Sequence, residues 1–390
     1  MARIQLRWIG LFVFLMIQGC TYLDDYWLGK DNTAVPGSLP PLASNTVTWT
    51  PCWTVSLGKS VKKQDAYLRL KPAIDGSMIY VANHQGLVKA VNKTTGEVLW
   101  SKQQTQKLVS GPAVGAKNLV FSTDNAGISV LSKSDGHELW HGSVSSEVLS
   151  LPLIVDDQVI VKTVDGHLYA FNRRTGEKQW VIDHGAPSLV LRASSSPVLY
   201  NHMVLVGFSD GKLDAIDLET GRVIWQRSMG YASGASDVER LADISSDPLV
   251  RGDVVYLASY QGYMVAMSLR QGQFNWSKPV STYRNLAIDS GALYMTDAED
   301  ILWSMNRSNG HVRWKQPALT ARGVTEPVLM GRRLLVGDKT GFLHLIDVKH
   351  GDFVARHALG SSIIVGPLVS DNHIYVITAS GQLQCFSIKG

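Results

Sequence analysis

At 390 residues the chain is long enough for two or three domains, but 18% charged residues, 35 glycines and no sustained helical period suit an all-β chain. The formal net charge is only +4, and no lysine/arginine block stands out. Composition therefore gives no case for a nucleic-acid binder.

The first twenty residues read as a targeting signal. Arg3 and Arg7 form a basic region, and Ile9 to Ile17 is an apolar stretch too short to span a bilayer. Ile17-Gln18-Gly19-Cys20 resembles a bacterial lipobox, with residues 1–19 as signal peptide and Cys20 as the lipidated first residue of the mature chain. Gln18 is an unusual occupant, and a common secretory signal with an incidental cysteine is the alternative. Thr21, where an Asp would signal retention, favours the inner leaflet of the outer membrane by analogy with Gram-negative lipoproteins. The remainder of 20–45 is rich in Pro, Ser, Thr and Asn and reads as a flexible tether.

From residue 46 to 390 one phrase recurs at a period of roughly forty residues, the signature of a solenoid or propeller. It runs from Gly86 to Trp100, Gly166 to Trp180 and Gly211 to Trp225. Weaker copies end at Trp140, Trp276 and Trp314. In the clearest copy Leu213, Ala215 and Asp217 alternate, as on one face of a strand, and Thr220-Gly221 makes a turn before a short strand ending at Trp225. An apolar strand precedes each hairpin. Ahead of that comes a strand that often opens with proline: Pro72, Pro112, Pro152, Pro197, Pro248, Pro327 and Pro367. Four short strands per repeat is the make-up of a propeller blade.

The openings are Gly86, Gly127, Gly166, Gly211, Gly262, Asp300, Gly341 and Gly381, which predicts eight blades. Glycine suits a turn with positive φ, and Asp300 tolerates it better than most residues. The seventh copy ends in Ala355 instead of Trp, and the eighth stops without a last strand. A ring must close or leave an edge, so Thr50 to Leu57, containing Trp53, is expected to complete blade eight. The series Trp53, Trp100, Trp140, Trp180, Trp225, Trp276 and Trp314 reads as packing between blades.

Aligning blade eight with blade one puts Cys385 in the place of Ala90 and Cys52 in that of Leu99, positions expected to face each other. A Cys52–Cys385 bridge stapling the ring is one reading; two free thiols on neighbouring strands is the other.

No phosphate loop, serine elbow or Cys-x-x-Cys is present. His137 and His141 fall on turn and strand, where that spacing makes no metal pair. No metal and no cofactor is expected. The connections carry more information. From Trp180 to Pro197, and again from Trp225 to Pro248, the spacing stretches beyond the usual twelve or thirteen residues. These two consecutive connections share one rim. They hold Leu189-Val190-Leu191-Arg192 and Asp237-Val238-Glu239-Arg240-Leu241-Ala242-Asp243, apolar anchors beside Arg and Asp that suit a protein interface. Packing of the two segments on each other is the alternative.

Ala215, Asp217, Gly221 and Trp225 match in full the docking motif of quinoprotein-type repeats. With the lipobox, eight repeats and N-terminal closure, the chain resembles the BamB family, lipoproteins of the β-barrel assembly machinery. The likeness covers nearly the whole mature chain. It implies binding to the POTRA domains of BamA through Leu189, Leu191, Arg192, Arg240 and Asp243. It further implies a monomer in a hetero-complex, lipid-held on the periplasmic face of the outer membrane and assisting unfolded outer-membrane clients. Ser245 stands where the family often has a second Asp. A scaffold for another envelope complex and a quinone-dependent dehydrogenase are the rival readings. The second lacks the adjacent cysteines and extra segments common in such enzymes.

Overall fold

A computed structural model describes residues 35–42, 47–58, 68–185, 194–229 and 243–389. These form an eight-bladed propeller of antiparallel sheets, with one short 3-10 turn, Pro317–Leu319, as the helical element among them. Blades 1 to 7 span 73–103, 108–143, 153–183, 198–228, 249–280, 287–316 and 328–358. Each runs from inner to outer strand in chain order. Blade 8 takes three strands from 368–389 and its outer strand, Thr48–Ser56, from the N-terminal side. The expected closure is therefore the observed one.

The period-2 pattern of the middle strands decides how blades stack. In Met78–Ala82, Ile79 and Val81 join a cluster with Tyr375, Ile377 and Leu383 of blade 8. Tyr80 and Ala82 instead join Leu119 and Phe121 of blade 2. Among the described residues the buried apolar side chains sort into eight such clusters, one for each seam between adjacent blades. A one-residue slip in any middle strand would exchange its two seams.

The repeated phrase now has a mechanism. The Ala of each strong copy is buried and pairs across the ladder with the Trp, Ala90 with Trp100, Ala170 with Trp180 and Ala215 with Trp225, and the weaker fifth copy does the same with Ala266 and Trp276. In blade 7 the sizes are exchanged, with Leu345 opposite Ala355. The Asn or Asp two residues on holds the turn: Asn92 Oδ1 accepts the Thr94 and Thr95 amides at 2.9 and 3.1 Å. The Trp then docks on the next blade. Trp140 donates its indole N–H to the Arg173 carbonyl at 2.9 Å, and its ring lies where a Cβ on Gly176 would be 2.8 Å away. Gly176 has φ +76°, so this turn needs glycine twice over, for its backbone and for the ring above it. Trp53, Trp100, Trp180, Trp276 and Trp314 repeat the arrangement on Gly96, Gly136, Gly221, Gly310 and Gly351. Between blades 4 and 5 Arg227 takes the seat, lying against Gly272 and 5.8 Å over the Trp225 ring.

Three expectations need correction. The turn openings of blades 2 and 5 put positive φ on Ala126 and Gln261, not on Gly127 and Gly262; Asp300 does adopt it, at +67°. Starting from Ala126 restores the common spacing to Trp140. The last hairpin of each blade carries a β-bulge just before the Trp position, so Leu99 is an extra residue and Trp100 is the one opposite Ala90. By the same bulge Trp53, not Cys52, stands directly opposite Cys385. Finally, residues within the expected tether lie on the propeller: Arg322 and Arg356 donate to the Gly37 and Pro40 carbonyls at 3.1 and 3.3 Å, and Leu39 packs on the seam between blades 6 and 7.

One element was not anticipated. Arg69–Leu70 pairs parallel with the innermost strand of blade 2, inside the ring. From there Arg69 reaches Asp247 and Ser196 at 2.7 and 3.0 Å, while Lys71 pairs with Glu326. The partners Ser196, Asp247 and Glu326 each precede a strand-opening proline, in blades 4, 5 and 7, so this short segment crosses the axis and ties distant blades together. Burial would raise the Asp247 carboxyl pKa, but the Arg69 guanidinium outweighs it and holds it at about 2.

Trp180→Ala should cost about 3 kcal/mol in denaturant unfolding, since the ring loses its seat and the small Ala170 opposite cannot refill the space. Asp247→Ala, which strands the Arg69 charge at the axis, should cost about as much. A loss below about 1 kcal/mol in either variant would show that the contact is dispensable.

Candidate partner-binding rim

The two enlarged connections occupy 181–197 and 226–248, and within them 186–193 and 230–242 lie outside the described residues. Leu189, Leu191, Arg192 and Arg240 therefore fall outside them too, as does Cys20. What the structure gives is the root from which both segments leave the ring, and both roots meet at Phe208.

His184, two residues before the first segment, stacks on Phe208 with ring centroids 3.7 Å apart and planes 2° from parallel. Ile244, two residues after the second, donates its amide to the Phe208 carbonyl at 3.2 Å and bridges to Ser259 of blade 5. It also packs on Gly207, where an added Cβ would come within 2.4 Å of the Ile244 side chain. Gly207 is thus small because the second segment must return against blade 4 at that point. Two segments far apart in sequence are brought to one place by a Gly-Phe step.

Charge is concentrated beneath this root. His184 Nδ1 lies 2.7 Å from Asp214 Oδ2 and Nε2 lies 3.2 Å from Asp210 Oδ2, with the imidazole side chain only 4% exposed. Lys212 pairs with Asp210 at 2.7 Å. Burial alone would lower the His184 pKa, but hydrogen bonds and charge from Asp210 and Asp214 win and raise it to about 9. The same contacts, with Lys212, bring Asp210 down to about 2 against its own burial. Lys162 donates to the Gly207 carbonyl at 2.6 Å and lies 5.6 Å over the Phe208 ring. Its burial brings the ammonium pKa down to about 8, although the charge of Asp243 opposes the fall.

Asp243 is placed within this root. It is 2% exposed, and its carbonyl accepts the Tyr260 amide at 2.9 Å and the Ser245 hydroxyl at 3.2 Å. Ser245 is buried as well, and its carbonyl accepts Arg69 at 3.2 Å. The axial network and the rim root are therefore continuous through residues 243–247. Sequence reasoning missed His184, Phe208, Lys162 and Arg69. For this axial segment a signal existed in the residues before the strand-opening prolines, where Lys71 stands against the opposite charges of Asp247 and Glu326. For His184 there was none, because its partners Asp210 and Asp214 belong to the next blade.

No described group of three or more His, Cys, Asp and Glu side chains is placed to hold a metal ion. A family model for the outer membrane protein assembly factor BamB matches residues 42–112 and 84–316. The chain belongs to the BamB family. The BamB of Legionella pneumophila (strain Paris) is 52% identical over 385 residues, covering 99% of this chain and 100% of the relative. The BamB of Escherichia coli (strain K12) is 30% identical over 385 residues, 96% of each chain. Among solved structures, BamB from Moraxella catarrhalis superposes with a TM-score of 0.79 at 24% identity, covering 87% of this chain and all of that one. Quinohemoprotein alcohol dehydrogenase from Comamonas testosteroni reaches 0.69 at 12% identity, over 87% of this chain and 76% of the enzyme; that likeness is one of fold alone.

The His184 clamp gives stability a pH dependence. Its pKa is raised on folding, so its contribution is complete below the unfolded value of about 6.5 and is lost as pH rises through about 9. Comparing urea unfolding of the wild type and His184→Gln should show their difference shrinking by on the order of 2 kcal/mol between pH 6 and pH 9.5. A difference independent of pH would show that His184 is neutral in the fold.

Proposed function

We propose that this protein is a non-enzymatic scaffold of the β-barrel assembly machinery. In this reading the segments 186–193 and 230–242 bind the POTRA region of BamA, and the complex helps assemble and insert outer-membrane proteins. Family membership supports the assembly role. The observation that supports the binding surface is the convergence of the roots of both segments, His184 and Ile244, on Phe208; Leu189, Leu191, Arg192 and Arg240 are the residues we assign to it from the sequence. Asp243 contributes from beneath, where its carbonyl accepts the Tyr260 amide and its charge acts on Lys162, next to Ile244, which packs on Gly207; arginine and leucine side chains supply the anchors that interfaces favour. Cys20 carries the lipid, and the linker to the propeller is shorter than the sequence suggests, because Gly37 and Pro40 are already docked on Arg322 and Arg356. The Arg69–Lys71 segment, ion-paired across the axis, supports a structural rather than a catalytic use of the ring centre.

The test is recovery of BamA by the tagged protein from gently solubilised membranes. Arg192→Glu should reduce recovery at least about tenfold with an unchanged unfolding midpoint. Leu189→Ala and Leu191→Ala should each weaken it. Unchanged recovery in all three variants would place the partner surface elsewhere, and no BamA with the unmutated protein would refute the assignment.

A further inference from the structure

The outer strand of blade 8 differs from every other outer strand in one respect. In blades 1 to 7 the outer strand is joined to its neighbour by a short turn; Thr48–Ser56 and Gln382–Lys389 have the whole ring between them. Their pairing is held by ladder hydrogen bonds, by Trp53 on blade 1, and by Val55 and Leu57 in the seam.

At this junction Pro51 faces Phe386 and Trp53 faces Cys385, which leaves Cys52 as the extra residue of the bulge. Two residues then stand against one, and Cys52 is brought beside Cys385. The equivalent bulge residues elsewhere are Leu99, Leu139 and Ile224, and the residues in the place of Cys385 are Ala90, Val130 and Ala215. The ladder thus needs no thiol at either position. Two of the chain's three cysteines nevertheless meet there, in the one blade built from both ends of the propeller. Cys52 is exposed and Cys385 is fully buried. Both thiols are free in this structure, with Cys52 Sγ donating to the Thr50 carbonyl at 3.7 Å; burial raises the Cys385 thiol pKa, and the neighbouring Cys52 adds to the rise.

We propose that Cys52 and Cys385 form a disulfide that closes the propeller covalently, supplying for blade 8 the connection that a turn supplies for the others. The oxidant is a small-molecule or protein disulfide of an oxidising compartment. The exposed Cys52, as thiolate, attacks the donor disulfide and expels one donor thiolate, which takes up the proton that Cys52 released. Cys385 then loses its proton to the second donor sulfur as it attacks Cys52 Sγ and expels it. Two protein thiols and one donor disulfide become one protein disulfide and two donor thiols. Cys52 is the entry thiol because the donor can reach it, and Cys385 is the resolving thiol. The cellular source of oxidant rests on the envelope location proposed above; the pairing does not.

The test uses the full chain purified in detergent, reduced, then exposed to oxidised glutathione, acid-quenched, alkylated and digested without reductant. A cross-linked peptide pair containing Cys52 and Cys385 is expected in the wild type. Cys385→Ser should instead retain glutathione on Cys52. The oxidised wild type should unfold at a higher urea midpoint than the reduced protein, with no such difference in Cys385→Ser. A lasting glutathione adduct on Cys52 of the wild type with Cys385 still alkylated, or cross-links only between chains, would overturn the proposal. Alkylation of intact cells before lysis separates the two readings: a bridged pair supports both, whereas free thiols in a protein that bridges when purified overturn the oxidising location and not the pair.

Discussion

Six of the eight blade junctions are held by an aromatic ring seated on a glycine that no other residue could replace without two simultaneous costs. The glycine has positive φ, and the space above it is filled by the indole. The seat is directional: a Trp on the outer strand of one blade reaches the last turn of the following one and donates to a carbonyl there. Because the direction is the same around the ring, the blades are related by a rotation that must close, and the number of blades is fixed by how the seams pack. The small residue opposite each Trp is part of the same device. Where the Trp is missing, in blade 7, Leu345 fills the space from the other strand of the pair.

That device explains what could be read in advance and what could not. Eight blades, four strands each, and the borrowed outer strand around Trp53 were legible because they follow from a local repeat and from period-2 alternation. The register beside each Trp was not, because a bulge shifts the pairing without changing the sequence pattern; this is why Cys52 lies beside rather than opposite the expected position. Ala126 and Gln261 carry positive φ where a glycine follows them, so the eye is drawn one residue too far. The docking of Gly37 and Pro40 depends on Arg322 and Arg356, 285 and 316 residues away, and nothing local announces it.

The two stretched connections were legible from spacing alone, and the chemistry at their common root was hidden. Spacing marked the two stretched connections. It could not show that Phe208 roots both of them, that a buried His184 is held charged between two aspartates there, or that Asp243 turns inward. These contacts connect the root to the axis through Ser245 and Asp247, so the base of the proposed binding surface is braced against the centre of the ring. Stiffness at the base keeps down the ordering cost that a loop surface otherwise incurs on binding.

The borrowed strand also sets an order of events in time. Thr48–Ser56 is made before any blade, yet its ladder partner, Gln382–Lys389, is the last of the described strands to arrive. Until then an edge with unpaired amides stays open at one end of the growing sheet array and its complement does not exist. Completion of the ring is thus a check on the whole polypeptide: a chain stopped short at any blade carries a leading strand with nothing to pair, and only a full-length molecule can hide it.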